Sequence, residues 1–285
     1  MEHWHLSFST VGRKPAFPTE AARRAAVRVL GRTAGPHLVL FCIVDDHLHV
    51  VVQARRAQAG RLAQALALGL APVAATPLGA AHLQPVEDRS HLLGLVRYLL
   101  TLPGKHGLGE HPALWSGSCF QDIVGARVVA PLSTATSLPR LHLRELLPMV
   151  GLPPQPTTPL SDDALRALGA SRVVAAVASA LAVGPDLVGR AASVVAARRA
   201  AAALTAQAGI ASAELCWALS VPARAASRLR AQAVDEHVLR AARLRLAIEE
   251  AVAHGSFVFA EAGLVAEAAP TYETPSDGTT GTEPQ

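Results

Sequence analysis

The chain has 285 residues, 51% hydrophobic and 17% charged, which is enough apolar material for a sizeable core and too little charge for a disordered polymer. Its net charge of +4 and pI of about 9.4 suit a nucleic-acid partner without requiring one, because a GC-rich genome also writes arginine for lysine, and Lys14 and Lys105 are the only lysines. Cys42, Cys119 and Cys216 lie far apart with no Cys-x-x-Cys spacing, which argues against a disulfide framework or a zinc knuckle and fits a reducing cytoplasm.

The opening Met-Glu-His-Trp-His has no basic flank leading an apolar stretch, so no signal peptide is expected. The longest apolar run, 173–188, is cut by Gly184, Pro185 and Asp186 and is not expected to span a membrane. The expected location is the cytoplasm.

In chain order, His3–Thr10 alternates as a strand, broken at Gly12-Arg13-Lys14-Pro15. Thr19 is a suitable N-cap for a helix over Glu20–Arg32, which Gly35-Pro36 stops. The apolar runs His37–Val44 and His47–Gln53 flank Asp45-Asp46, a hairpin signal. Ala57–Leu70 has helical periodicity. His82–Glu87 reads as an edge strand, since Pro85 argues against a central one. Ser90–Leu102 is an amphipathic helix ended by Pro103-Gly104. Residues 128–160 are Pro-rich and read as a linker with one short helix at Arg140–Leu147. Residues 161–253 are helical in pattern, with breaks at Gly184-Pro185, Gly209 and Pro222. A tail, 254–285, is expected to be disordered from about 268.

Within this frame His47-Leu48-His49 stands out. Alternation along a strand sends both imidazoles to one face of a sheet, close enough to share one metal ion. Tyr272 falls in the polar tail, so Tyr98 is the tyrosine expected in folded structure. A second His-x-His, His3 and His5, lies near the start of the chain, where surface histidines are the expectation. A histidine-triad hydrolase is excluded, because its third histidine would fall at Val51.

Four ordered segments of 1–127 resemble the REP-associated tyrosine transposases, single-tyrosine members of the HUH nuclease superfamily. They are Trp4–Thr10 with Arg13-Lys14-Pro15-Ala16-Phe17; Val44–Val52; Arg97-Tyr98-Leu99-Leu100 with Pro103 and Gly107-Leu108; and Trp115-Ser116-Gly117-Ser118-Cys119-Phe120. The resemblance implies an HUH domain, an antiparallel sheet of ferredoxin-like type with helices on one face. It implies that His47 and His49 hold Mg²⁺ or Mn²⁺ and that Tyr98 attacks a DNA phosphate, leaving a 5′-phosphotyrosine and a free 3′-OH. It also implies single-stranded or hairpin DNA as partner and a possible homodimer. The chain departs from the family at the third metal ligand, a Gln or Asn one turn after the tyrosine, where Leu102 stands. Asp46, Glu87, Asp88 and His106 are the substitutes to weigh. Arg13 and Lys14 suit a DNA backbone or a solvated turn equally, and Arg97 adjoins the tyrosine. Trp115 and Phe120 are expected in the core before they are expected to stack on bases, and Arg198-Arg199 on a solvated helix face.

The segment Val174–Arg230 resembles the C-terminal DNA-binding domain of the replication initiator DnaA, through Ala182-Val183-Gly184, Leu187–Arg190 and Gly209–Leu215. Ala213–Leu219, a turn at Ser220–Pro222 and Ala223–Ala233 read as helix-turn-helix. Arg224, Ser227, Arg228 and Arg230 are then the expected contacts, with duplex DNA as a possible partner. The expected fold class is therefore α+β followed by an all-α helix-turn-helix domain. The expected function is a DNA transposase that cuts and rejoins single strands. The alternative is a weakened or domesticated relative that binds hairpin or operator DNA without cleavage.

Overall fold

A computed structural model describes residues 2–129, 132–138, 141–153 and 158–255; the expected disordered tail, with Tyr272, lies outside them. The fold is α+β. The first part runs β1 (Glu2–Ser9), α1 (Glu20–Ala34), β2 (Leu38–Ile43), β3 (His47–Ala54), α2 (Arg56–Leu70), β4 (His82–Val86) and α3 (Arg89–Lys105). The strands form an antiparallel sheet in the order β2-β3-β1-β4. Pro85 thus sits in an edge strand, where its missing N–H costs no ladder bond. β1 is internal, paired on both sides, and is no fraying terminus.

Alternation places His5, Ser7, Ser9, Cys42, His47 and His49 on one face of the sheet. Leu6, Phe8, Phe41, Leu48, Val50 and Val52 point to the other face and are fully buried. The connections from β1 to β2 and from β3 to β4 run through α1 and α2, and the handedness rule for such crossovers assigns both helices to that apolar face. Thr19 caps α1 by accepting from the Ala22 N–H, and α1 ends at Gly35, where φ is +50°. In contrast, α3 lies against the histidine face, with the Tyr98 ring edge-on to His49. The expectation of helices on one face only is corrected: both faces of β2 and β3 are buried and both need a cover. α3 also runs one turn further than its Pro103-Gly104 pair suggested, to Lys105.

The open edge of β2 is closed by residues 115–119. Ile43 N–H donates to Gly117 O at 2.9 Å, and Cys119 N–H donates to Phe41 O at 3.1 Å. A Cβ on Gly117 would fall 2.4 Å from Ile43 O, so only glycine permits this approach. After α4 (Phe120–Ile123), the Pro-rich stretch is not a free spacer. α5 (Thr134–Ser137), α6 (Leu143–Leu146) and a 3₁₀ turn at Pro148–Val150 bring Leu138, Leu146, Leu147, Val150 and Leu152 into the first core. Its leucines and valine outweigh the linker signal of its prolines.

The second part comprises α7 (Asp162–Ala180), α8 (Ala192–Gln207), α9 (Ser212–Leu219), α10 (Ala223–Arg230) and α11 (Glu236–His254). These surround a core that includes Leu165, Val177, Leu204, Leu215 and Leu246. α9 and α10 are joined by a tight turn in which Ser220 takes the left-handed conformation at φ +52°. α11 serves both cores: Val238, Leu239, Ala242 and Leu246 enter the second, while Leu244 and Ile248 enter the first. Arg24 and Arg28 of α1 also donate to the carbonyls of Val183 and Ala182 beyond α7, the former at 3.0 Å. Among the described residues no helix is long and apolar enough to cross a membrane.

Candidate functional site

The hairpin between β2 and β3 and the turn after β1 build the mouth of the site together. Thr10 N–H donates to Asp46 O at 2.9 Å, and Ala16 and Phe17 N–H both donate to Asp45 O. Gly12 and Arg13 take positive φ values of +71° and +56°, which folds the basic turn back over the hairpin. Arg13 Nη1 then reaches Asp46 Oδ2 at 3.3 Å, while Asp46 Oδ1 accepts from His47 Nδ1 at 2.6 Å. Asp46 is thus an orienting group with both oxygens engaged. Its carboxyl lies below the usual range: burial pushes it up, but the His47 hydrogen bond and Arg13 outweigh that push.

Behind this mouth lies a cluster of imidazoles. His47 and His49 are buried, with ring centroids 5.0 Å apart. His106, at the C-cap of α3, places its ring 5.1 Å from that of His47. His5, expected at the surface, is 5% exposed and its Nε2 lies 3.0 Å from His49 Nδ1. The signal for it was present: β1 alternates with the same period as β3, so its second His-x-His had to face one side of the sheet too. His3 is also drawn in, at 3.0 Å from Ser137 Oγ.

Burial, reinforced by neighbouring histidines, lowers His5 to about 4 and His49 to about 3. Burial also lowers His47, against the opposing pull of Asp46. All three rings are therefore neutral at physiological pH and carry one bare nitrogen each.

Tyr98 comes to this cluster from α3. Leu92, Leu95, Val96, Leu99 and Leu102 form the buried stripe of that helix at helical spacing. Tyr98 stands beside the stripe, 37% exposed, with its hydroxyl 3.4 Å from His49 Nε2. Lys105 Nζ lies 5.7 Å from the centre of its ring. Arg13 and Lys14, on the turn after β1, and Arg97, beside Tyr98 on α3, are all exposed. The structure thus brings together His47, His49 and Tyr98, with Arg13 linked through Asp46.

A hard divalent cation needs several oxygen ligands, and the donor set here does not complete such a cage. Leu102 is 2% exposed and packed in the core. Asp46 is held by His47 and Arg13. Asp88 caps α3 through His91 N–H at 2.7 Å, ten residues and about 15 Å along the helix from Tyr98. Glu87 precedes even that position. Among the described residues no three His, Cys, Asp or Glu side chains gather where one ion could be held.

The remaining sequence-selected residues divide plainly. Trp115 is buried, donates through Nε1 to Ile43 O at 2.7 Å and lies under the Arg23 guanidinium at 3.9 Å. Phe120 is fully buried. On α10, Arg224, Ser227 and Arg228 are exposed. Arg230 instead braces α9, donating to Ser212 Oγ at 2.7 Å and to Ile210 O at 3.0 Å.

No family model matches the chain. No curated protein matches it. Among solved structures, that of a REP-associated tyrosine transposase bound to a REP hairpin is similar to 46% of this chain and 82% of its own, with 17% sequence identity and a TM-score of 0.36.

Proposed function

We propose that the chain is a DNA-acting transposase of the single-tyrosine type, with Tyr98 as nucleophile. The observation that carries this reading is the Tyr98 hydroxyl at 3.4 Å from Nε2 of a neutral His49, with Arg13 and Lys14 exposed on the turn after β1 and Arg97 exposed beside Tyr98 on α3. The β-α-β-β-α-β order with strand order 2-3-1-4 supports a ferredoxin-like frame for it. In the reaction, Tyr98 Oη gives up its proton and bonds to the scissile phosphorus, the bond from phosphorus to the 3′ oxygen breaks, and that oxygen takes up a proton and leaves as a 3′-hydroxyl. Attack by a 3′-hydroxyl on the phosphotyrosine reverses the step and rejoins the strand. The basic rim suits single-stranded or hairpin DNA, and the α9–α10 pair, read as helix-turn-helix, suits duplex through Arg224, Ser227 and Arg228.

A second reading has its own observation. With Leu102 buried and the donor set short of a cage, the chain binds DNA hairpins without cutting them.

One experiment separates the two. Purified protein is mixed with labelled single-stranded hairpin DNA, with and without Mn²⁺ or Mg²⁺, and run on a denaturing gel beside Tyr98→Phe and His47→Ala. A covalent adduct lost in Tyr98→Phe is the expected result, and its metal requirement reads directly whether an ion takes part. Hairpin binding with no adduct under any condition sinks the transposase reading in favour of the second.

A further inference from the structure

Lys105 follows Tyr98 on α3 by about 20° less than two full helical turns, so both side chains leave the same side of that helix. The Cα–Cβ bonds of a helix tilt toward its N-terminus, and a long side chain at Lys105 therefore runs back over the surface toward the tyrosine. Its Nζ lies 5.7 Å from the centre of the Tyr98 ring. Between the two residues, the Thr101 hydroxyl turns to the carbonyls of Arg97 and Tyr98, at 2.8 and 3.2 Å, and Leu102 is buried. Neither offers a polar group at this surface. The arrangement needs the last turn of α3, which continues through Pro103-Gly104 to Lys105.

Attack by Tyr98 gathers negative charge on the oxygens of the phosphate, and a fixed positive partner there lowers the barrier. Among the described residues the donor set around His47 and His49 does not complete a cage for a divalent ion. The cations nearby are not equivalent. Arg13 is engaged by Asp46 at 3.3 Å. Arg97 leaves the helix about 100° round from Tyr98. Lys105 is exposed, makes no ion pair among the described residues and already lies against the tyrosine ring. An exposed contact between a cation and a ring is weak beside a charge-assisted bond to phosphate, so the ammonium exchanges one for the other when a phosphate arrives.

We infer that Lys105 is a catalytic residue: its ammonium bonds to a non-bridging oxygen of the phosphate that Tyr98 attacks, and supplies there the positive charge that the donor set around His47 and His49 does not hold as a metal ion. The inference rests on the reading of Tyr98 as nucleophile. It goes beyond that reading by naming the group that meets the phosphate and by making the cut independent of a divalent ion. Lys105 neither gives nor takes a proton. It holds the oxygen's charge while the phosphorus exchanges the 3′ oxygen for Tyr98 Oη, and the same contact serves the rejoining step.

The test separates the contact from the chemistry. Wild type, Lys105→Ala, Lys105→Arg and Tyr98→Phe are mixed with labelled single-stranded hairpin DNA in EDTA and with added Mn²⁺. Lys105 is exposed at a helix end, so its replacement leaves the fold intact, as thermal melts check. The covalent adduct is expected to form in EDTA and to gain nothing from Mn²⁺. It should form on the order of a hundredfold more slowly in Lys105→Ala. Lys105→Arg keeps the charge but replaces a point donor by a planar fork, and should recover part of the rate. Hairpin affinity against salt, measured in a Tyr98→Phe background, is the second readout. Loss of one phosphate contact should reduce the slope of log K against log salt by about 0.7 to 0.9, which a purely structural role would not do. An adduct that forms only with Mn²⁺ overturns the inference, and so does a wild-type rate or an unchanged salt slope in Lys105→Ala. If the wild type forms no Tyr98-dependent adduct, the reading of the reaction falls, while the salt slope still decides whether Lys105 meets a phosphate.

Discussion

Two imidazoles that refuse protons make the folded chain sensitive to acid. His5 and His49 sit near 4 and 3, against 6.5 for a free imidazole, with burial as the main cause. Between about pH 6.5 and 4 the unfolded chain takes up protons that the folded chain does not, so stability is greatest above this window and falls as pH drops through it. The expected slope is roughly 1.4 kcal/mol per pH unit for each ring. Urea midpoints measured at several pH values check this, and His5→Gln should remove one ring's share. A profile as flat in the wild type as in that variant would refute the assignment. Leu102 behaves oppositely. Being packed in the core, it has surrendered any ligand role to packing, and Leu102→Gln should cost about 1–3 kcal/mol in unfolding free energy, because its amide finds no water there.

The position of the tyrosine depends on α3 as a whole element. Its N-terminus is held by Asp88, whose carboxylate accepts the His91 N–H. Asp88→Ala is expected to lower stability by about 1 kcal/mol and to raise amide exchange in the first turn of α3 before any other segment. Equal protection in both proteins would show that the cap does not hold the helix.

These elements were readable in the sequence to different depths. α1, α2, α3 and all four strands announced themselves through periodicity and breakers, and the His47–His49 pair through alternation alone. For His5, nearness to the first residue suggests exposure, whereas pairing with β3 and β4 places β1 inside the sheet. The cover that α3 lays over the histidine face was hidden as well, since helical periodicity tells which stripe is buried but not against which side of a sheet. The stretch after Arg127 misled through its prolines, although its leucines carried the opposite message. Sheet pairing and burial against distant residues are non-local, and a one-dimensional pattern does not contain them.

At the scale of the whole molecule, α11 is the member that both cores need. Ile248 is 1% exposed in the first core although it belongs to the last described helix. Ile248→Ala should cost about 2–5 kcal/mol, and the loss should appear as faster amide exchange in β2 and β3, far away in sequence. Acceleration confined to α7–α11 would mean that the halves are energetically separate. Arg24 and Arg28, donating across to the carbonyls of Val183 and Ala182, add a second tie between the same two parts.

A helix shared by two cores turns the molecule into a ruler. If the tyrosine mouth holds one part of a DNA and the exposed face of α10 holds another, the two parts must be offered at one separation and one rotational phase. Inserting about five base pairs between them turns the second part to the far side of the duplex, so affinity should oscillate with spacer length rather than decline smoothly. Such a gauge would let the chain tell a correctly spaced target from the same two elements brought together by chance.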